Sequence, residues 1–306
     1  MKKLFFILLS TIIIIGCGQT YEEAKVRTAH ERAMLKRQDS LALKIGVLPT
    51  IDCLPMYIVK ERGWIDTARA DVRMKEIESH IAADDALKKG KIEGMATDIV
   101  RVERLKRQGV AIEYFATTPL SWQFITNKKA RLKTLNQLTD KMVAVSRFSA
   151  TSMLADYVVD SVKLKSENVF RVQINNPQIR LSMLINNEMD AVLLPEPQAT
   201  VARLAGHHVL MDSNNHDIKM GVIVFSQKAV DNSERRVQIN EFLKAYNQAC
   251  DSINRYGIAN YAEVIKKYMD VDDKTIKALH NIKYEHAGLP RAVDIERANK
   301  WLRDNY

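Results

Sequence analysis

Three cysteines in 306 residues are too few for a disulfide-stapled scaffold, and no Cys-x-x-Cys pair is present to hold a metal or a redox couple. The chain also lacks a Gly-x-Ser-x-Gly elbow, a His-Glu-x-x-His pair and a phosphate-binding glycine loop. His207 and His208 are adjacent, so on an extended segment they would point to opposite faces and could not share a metal. These absences argue against an enzyme and against a resident metal or cofactor. Lys and Arg number 46 against 37 Asp and Glu, a net charge of +9, yet the basic residues are scattered among acidic ones and form no arginine stripe. No nucleic-acid partner is expected.

Long apolar runs are also scarce, since the chain has one, from Leu4 to Ile15, behind the positive Lys2 and Lys3 and ahead of Ile14-Ile15-Gly16-Cys17. That is the anatomy of a bacterial lipoprotein signal peptide, residues 1–17, cut before Cys17, which then carries acyl chains such as palmitate. The run is well short of the roughly 20 apolar residues that a bilayer span requires. The mature chain is therefore expected in the cell envelope, periplasm-facing and lipid-anchored to a membrane through Cys17, as a monomer. Residues 18–42 are charged with few large apolar side chains and read as a tether or a solvated helix. Cys53 and Cys250 could pair in an oxidising compartment. Cys250, however, sits in the helical stripe Phe242, Tyr246, Cys250, Ile253, where a small buried thiol is expected.

From Leu43 onward, strands alternate with helices, which argues for parallel sheet covered by helices. Leu43 to Leu48 is a strand, and Pro55 opens a helix that Gly63 closes. Val72 to Ile77, Gly94 to Asp98 and Ile112 to Ala116 follow as strands. Past Trp122 the pattern begins again with Lys141 to Val145, Val169 to Ile174 and Ala191 to Leu194, and Asn176-Pro177 caps and opens a helix. Met220 to Phe225 is another strand, and the chain after Ser233 reads as helical. The C-terminal region has too few strands for a domain of its own. The expected organisation is an α/β chain with lobe 1 at 43–122 plus 221–306, lobe 2 at 123–220, and the C-terminal helices packed on lobe 1.

Three segments carry a resemblance: LKIGVLPTIDCLPMYIVKERGWID, KKGKIEGMATDIV and LINNEMDAVLLPEPQATVARLAG. In this order they resemble the nitrate/sulfonate/taurine and thiamine-pyrimidine family of ABC transporter substrate-binding proteins. The resemblance implies a two-lobed type II periplasmic-binding fold that closes on a small molecule, with ABC permease and ATPase subunits as partners. Ser146-Arg147-Phe148-Ser149 departs from the family in lacking a glycine-rich stretch. The expected ligand is a sulfonate- or nitrate-like anion or a thiamine-precursor pyrimidine. A sensing or assembly lipoprotein of the same fold is the alternative, and a lipid-anchored enzyme the third reading.

In open α/β sheets ligands bind beyond the carboxyl ends of strands, which directs attention to Thr50, Asp52, Thr97, Asp98, Ser146, Arg147, Ser149, Thr151 and Glu196. Ser149 and Thr151 lie where a helix starts and either offer N–H groups to an anion or serve as ordinary caps. Arg147 either grips a sulfonate or carboxylate or joins a surface ion pair. Asp52, Asp98 and Glu196 would hold a ligand amine or ring N–H, or act as turn and cap residues. Trp122 either stacks on a flat ligand or packs beneath the crossing between lobes.

Overall fold

The computed structural model describes residues 21–306; the signal segment and Cys17 lie outside the described residues. Tyr21–Leu41 form helix α1, with the exposed i,i+4 ion pair Arg27–Glu31 at 3.0 Å. Such a pair stabilises a helix by about 0.3–0.5 kcal/mol. Val26 and Met34 on this helix are exposed, as a polar segment with no apolar stripe requires.

The unit from Leu43 to Tyr306 contains two five-stranded sheets. The first has the order β2-β1-β3-β10-β4, from β1 (Leu43–Val47), β2 (Val72–Glu76), β3 (Gly94–Asp98), β4 (Ile112–Thr117) and β10 (Gly221–Ser226). The second has the order β7-β6-β8-β5-β9, from β5 (Gln123–Thr126), β6 (Lys141–Val145), β7 (Val169–Gln173), β8 (Ala191–Leu194) and β9 (His208–Asp212). The expectation of parallel sheet needs one correction. β10 runs antiparallel to β3 and β4, and β5 runs antiparallel to β8 and β9. Each of these strands is entered directly from the other sheet, without the helical crossover that brings a chain back parallel. Strand β9 is an addition to the expected set: HVLMD is only five residues long and begins at His208.

Helices α2 (Leu54–Arg62), α3 (His80–Lys88), α4 (Ile99–Arg107), α5 (Ala150–Ser161), α6 (Pro177–Ile185) and α7 (Gln198–Leu204) follow strand ends. Pro55 sits at the start of α2, and Gly63 ends it at φ +59°, a conformation that costs a glycine little. The C-terminal region holds α8 (Gln227–Asp231), α9 (Ser233–Tyr256), α10 (Ala262–Met269), α11 (Asp273–Ala278) and α12 (Ala292–Asn305). Residues of α9 and α10 join α2 and β1 in one core, with Tyr57, Phe242, Tyr246 and Ile265 buried together. α12 does more than cover the first sheet. Asn299 Nδ2 donates to Glu103 Oε2 on α4 at 2.8 Å, and Trp301 Nε1 donates to Asp156 Oδ2 on α5 at 2.9 Å. The Cys53 and Cys250 thiols are free and buried.

The chain passes between the sheets twice, through Thr118–Trp122 and Ser213–Met220. The crossings are tied together: Thr118 N donates to Gly221 O at 2.9 Å, and Ser213 N donates to Trp122 O at 3.0 Å. A Cβ on Gly221 would lie 2.3 Å from Thr118 Oγ1 and 2.7 Å from Thr118 O, so only glycine lets the strands come this close. Register then places the site. Gly221 is level with Asp98 at the carboxyl end of β3, and Gln123 with Leu194 at the carboxyl end of β8. Both crossings leave and enter at the carboxyl edges, so these edges face each other.

Candidate ligand-binding site

Four contacts join the facing edges. Ile51 N, after β1, donates to Glu196 O, after β8, at 2.9 Å, and Gln198 Nε2 donates to Pro49 O at 3.2 Å. Ala150 N donates to Asp98 Oδ1 at 3.0 Å, and Arg101 Nη1 approaches Arg147 O at 3.5 Å. These contacts hold the strand-exit loops of the two sheets against each other.

The predicted residues fall into three groups. Thr97 and Asp98 are buried on the first sheet's edge, and Thr97 Oγ1 and Asp98 Oδ2 have no hydrogen-bond partner among the described residues. Asp98 Oδ1 caps two helices at once, accepting Arg101 N of α4 and Ala150 N of α5, each at 3.0 Å. Burial outweighs the Arg101 charge and these two donors, and raises the Asp98 carboxyl to about 6. Asp52 is buried with Oδ2 accepting from Thr118 Oγ1 at 3.2 Å and Oδ1 unpaired; burial also raises its pKa. Thr50 beside it is buried, with Oγ1 3.7 Å from Cys53 Sγ.

The second group is spoken for inside its own sheet. Ser146 Oγ donates to Asn175 Oδ1 at 3.0 Å, and Ser146 N donates to Thr151 Oγ1 at 2.9 Å. Ser149 Oγ donates to Ser146 O at 2.6 Å and accepts from Thr151 N at 3.2 Å. With Ala150 N given to Asp98, the start of α5 is already filled by a carboxylate from the opposite sheet. Glu196 Oε2 accepts from Thr200 N at 2.9 Å, and Oε1 pairs with Arg203 at 2.8 Å, so this acid caps and braces α7. The third group stands apart. Arg147 is exposed, its guanidinium 5.1 Å from the Phe148 ring centre, and Trp122 is 1% exposed within the central core. His207 is buried and its Nδ1 accepts from Lys128 N at 3.3 Å, whereas His208 is exposed.

Sequence reasoning missed His80, Asp84, Arg101, Arg180 and Gln198. Arg101 is fully buried and paired with Asp84, while Arg101 Nε and Asp84 Oδ1 have no partner among the described residues. Gln198 Oε1 and Arg180 Nε and Nη1 are buried without partners among the described residues. Burial and the charges of Arg101 and Arg180 hold the His80 imidazole down at about 3, so it is neutral. A signal for the arginine was present. Pro177, Arg180, Leu181 and Leu184 form the buried i, i+3, i+4, i+7 stripe of α6, and a charge in such a stripe calls for a partner. On α3, Ala83, Asp84 and Leu87 are buried, with His80 half-buried one turn earlier on the same face.

A cavity of about 440 Å³ lies beside the crossings, lined by Thr118, Leu120, Lys219, Glu285, Leu289 and Arg291 among others. None of the predicted site residues lines it. Among the described residues no group of three His, Cys, Asp or Glu could hold a metal ion, and no helix is long and apolar enough to cross a membrane.

Two sheets of matching strand order, joined by two crossings at their facing edges, define the periplasmic-binding-protein fold. The chain belongs to the NMT1/THI5-like family, which it matches over residues 50–255. Solved structures agree on the fold. An alkanesulfonate-binding protein from Xanthomonas axonopodis pv. citri superposes with a TM-score of 0.73 at 15% identity, covering 86% of this chain and 91% of that one. The periplasmic aliphatic sulphonate binding protein of Escherichia coli gives 0.71 at 16% identity, covering 86% and 87%. The periplasmic nitrate-binding protein of Synechocystis PCC 6803 gives 0.66 at 14% identity, covering 82% and 74%. Among curated protein sequences none matches this chain significantly.

Proposed function

We propose that this protein is the solute-binding lipoprotein of an ABC importer. Acylated Cys17 holds it to a membrane on the periplasmic side, and residues 18–42 are its tether. Lobe 1 (43–122 plus 221–306) and lobe 2 (123–220) trap a small organic ligand, a sulfonate- or nitrate-like anion or a thiamine-precursor pyrimidine, and hand it to permease and ATPase subunits. It works as a monomer and not as an enzyme.

One observation carries this reading. Thr97 Oγ1, Asp98 Oδ2, Asp84 Oδ1, Gln198 Oε1, Arg101 Nε and two Arg180 nitrogens are buried without partners among the described residues, at the end of β3 and on helices of both sheets. Buried polar groups are nearly always hydrogen-bonded, and each orphan costs about 1–3 kcal/mol. A ligand that supplies partners would recover that cost and favour the closed form. His80, held near 3, is a poor base at neutral pH, which favours binding over catalysis.

Native mass spectrometry of the purified protein tests this by identifying a co-purified molecule. Adding that molecule back to stripped protein should reduce the radius of gyration and raise the melting temperature. Linkage supplies about 2.7 kcal/mol at a hundred times the dissociation constant. A saturated complex with an unchanged radius and an unchanged melting temperature would refute the two-lobed trap.

A further inference from the structure

We infer that Tyr306 and Phe148 form an aromatic latch across the rim of the cleft, carried by α12, which positions the two lobes and sets the balance between open and closed forms. This role rests on the two-lobed reading of the proposed function, and it holds whichever solute is bound.

α12 starts at a crossing and ends at the rim. Arg291 pairs with Asp217 of the second crossing at 2.7 Å, and the buried Asp294 holds Arg291 at 2.6 Å and Arg297 at 2.7 Å. The helix then packs mainly on α4, where Arg107 Nη2 donates to Asn299 O at 2.9 Å and Leu302 is buried. It stands off α5. A cavity of about 220 Å³ lies between them, lined by Met153, Tyr157 and Asp160 of α5 and by Arg297, Lys300 and Asp304 of α12. Two side chains reach past this cavity to the second sheet's side. Trp301 donates to Asp156, itself paired with Arg171 of β7 at 2.6 Å, and Tyr306 meets Phe148.

The Tyr306 contact joins both sides at one point. Its ring lies 5.0 Å from that of Phe148, edge to face at 69°, on the loop between β6 and α5. Its hydroxyl accepts from Gln108 Nε2, just after α4, at 2.6 Å. The Arg104 guanidinium of α4 stands 5.3 Å from the Tyr306 ring centre and 5.2 Å from that of Phe148. Edge-to-face rings attract each other, and a cation is attracted to their faces. Phe148 also stands at φ +51°, in the left-handed region that bulky side chains rarely adopt. Strain of this kind persists where surrounding contacts fix it, and these contacts come from across the cleft. Two residues on, Ala150 N donates to Asp98 Oδ1 on the first sheet, so parting the lobes breaks the latch and this bridge together. A contact made only in the closed form raises the closed population, and with it the apparent affinity for a solute that the latch never touches.

Amide exchange reads the open population at two places, because Ala150 N and Ile51 N each donate across the cleft. Where reclosing is fast, their exchange rates scale with the fraction open. Stripped wild-type protein is compared with Tyr306→Phe, Tyr306→Ala, Phe148→Leu and the double variant Tyr306→Ala/Phe148→Leu, with the amides of the central strands β1 and β8 as references for global unfolding. Tyr306→Ala and Phe148→Leu should each speed exchange at Ala150 and Ile51 roughly two- to tenfold, the worth of an aromatic pair, and leave the references unchanged. Tyr306→Phe keeps the ring and should stay closer to wild type. The double variant should match the faster single one, since both changes remove the same contact. The radius of gyration from small-angle scattering should rise in the same order.

The latch is rejected if Tyr306→Ala leaves Ala150 and Ile51 at wild-type rates, or if the two single effects simply add. It is also rejected if the reference amides accelerate equally, which marks a purely structural role. Ala150 and Ile51 exchanging faster than the references in wild type, yet insensitive to these variants, would reject the latch and keep the two-lobed trap. Exchange at both sites no faster than the references in every variant would count against both.

Discussion

The Asp98 carboxylate, at the end of β3 in the first sheet, accepts the backbone N–H of Ala150, the first residue of α5 in the second, at 3.0 Å. The same oxygen caps its own helix through Arg101 N at 3.0 Å. One side chain thus closes a helix on each side of the cleft, and the N-terminal dipole of α5 is met by the protein's own charge. Removing the carboxylate should cost about 1–2 kcal/mol of stability, the usual worth of a cap. Asp98→Ala is also expected to favour an open form. Urea unfolding gives the first quantity and small-angle scattering the second; a variant as compact and as stable as wild type would show that the bridge carries no weight.

The pH dependence of Asp98 has a definite sign. Its folded carboxyl sits at about 6, above the ordinary 3.8, because burial disfavours the charged form. Between those values the folded state keeps a proton that the unfolded state has released. Stability should therefore fall as pH rises through this window, by on the order of 2–3 kcal/mol, and return on acidification. Asp52 and Asp84 are raised by burial too and contribute in the same direction. Comparison with Asp98→Asn isolates one group, since asparagine keeps the cap acceptor and has no proton to titrate. The stability gap between Asp98→Asn and wild type is expected to shrink as pH is lowered from 7 to 4. A gap that stays constant would place the titration elsewhere.

Gly221 is expected to tolerate no side chain. The added Cβ would meet Thr118 Oγ1, Leu120 Cβ at 2.5 Å and the Thr118 carbonyl, and the last is backbone that cannot rotate away. Gly221→Ala should destabilise by about 1–3 kcal/mol through overpacking. The same change should loosen the paired crossings, which amide exchange at Thr118 and Ser213 would register as lost protection. Unaltered protection with lowered stability would confine the damage to the first sheet.

Cys17→Ser tests the anchor. If acyl chains hold the protein, each buried CH₂ contributes about 0.8 kcal/mol of membrane affinity, and the variant should accumulate as unprocessed precursor or appear in the soluble fraction. Unchanged processing and unchanged membrane association would rule out lipidation at this residue.

Local chemistry made much of this chain readable before folding is considered. Alternating apolar strands, Pro55 and Gly63 around α2, and the Asn176 cap of α6 all act over a few residues, so their consequences can be derived from order alone. The repeat of the pattern after Trp122 and the strand ends that carry Thr97 and Asp98 were legible for the same reason. Tertiary structure decided what each polar group meets. Whether Asp98 faces solvent, a ligand or the start of α5 depends on a residue 52 positions away, on the far side of the Thr118–Trp122 crossing. The directions of β5 and β10 and the reach of α12 from α4 to α5 likewise depend on which end of a sheet the chain enters. Sequence order specifies the residues and their periodicity, whereas the pairing of buried charges is settled only when distant segments exclude water together.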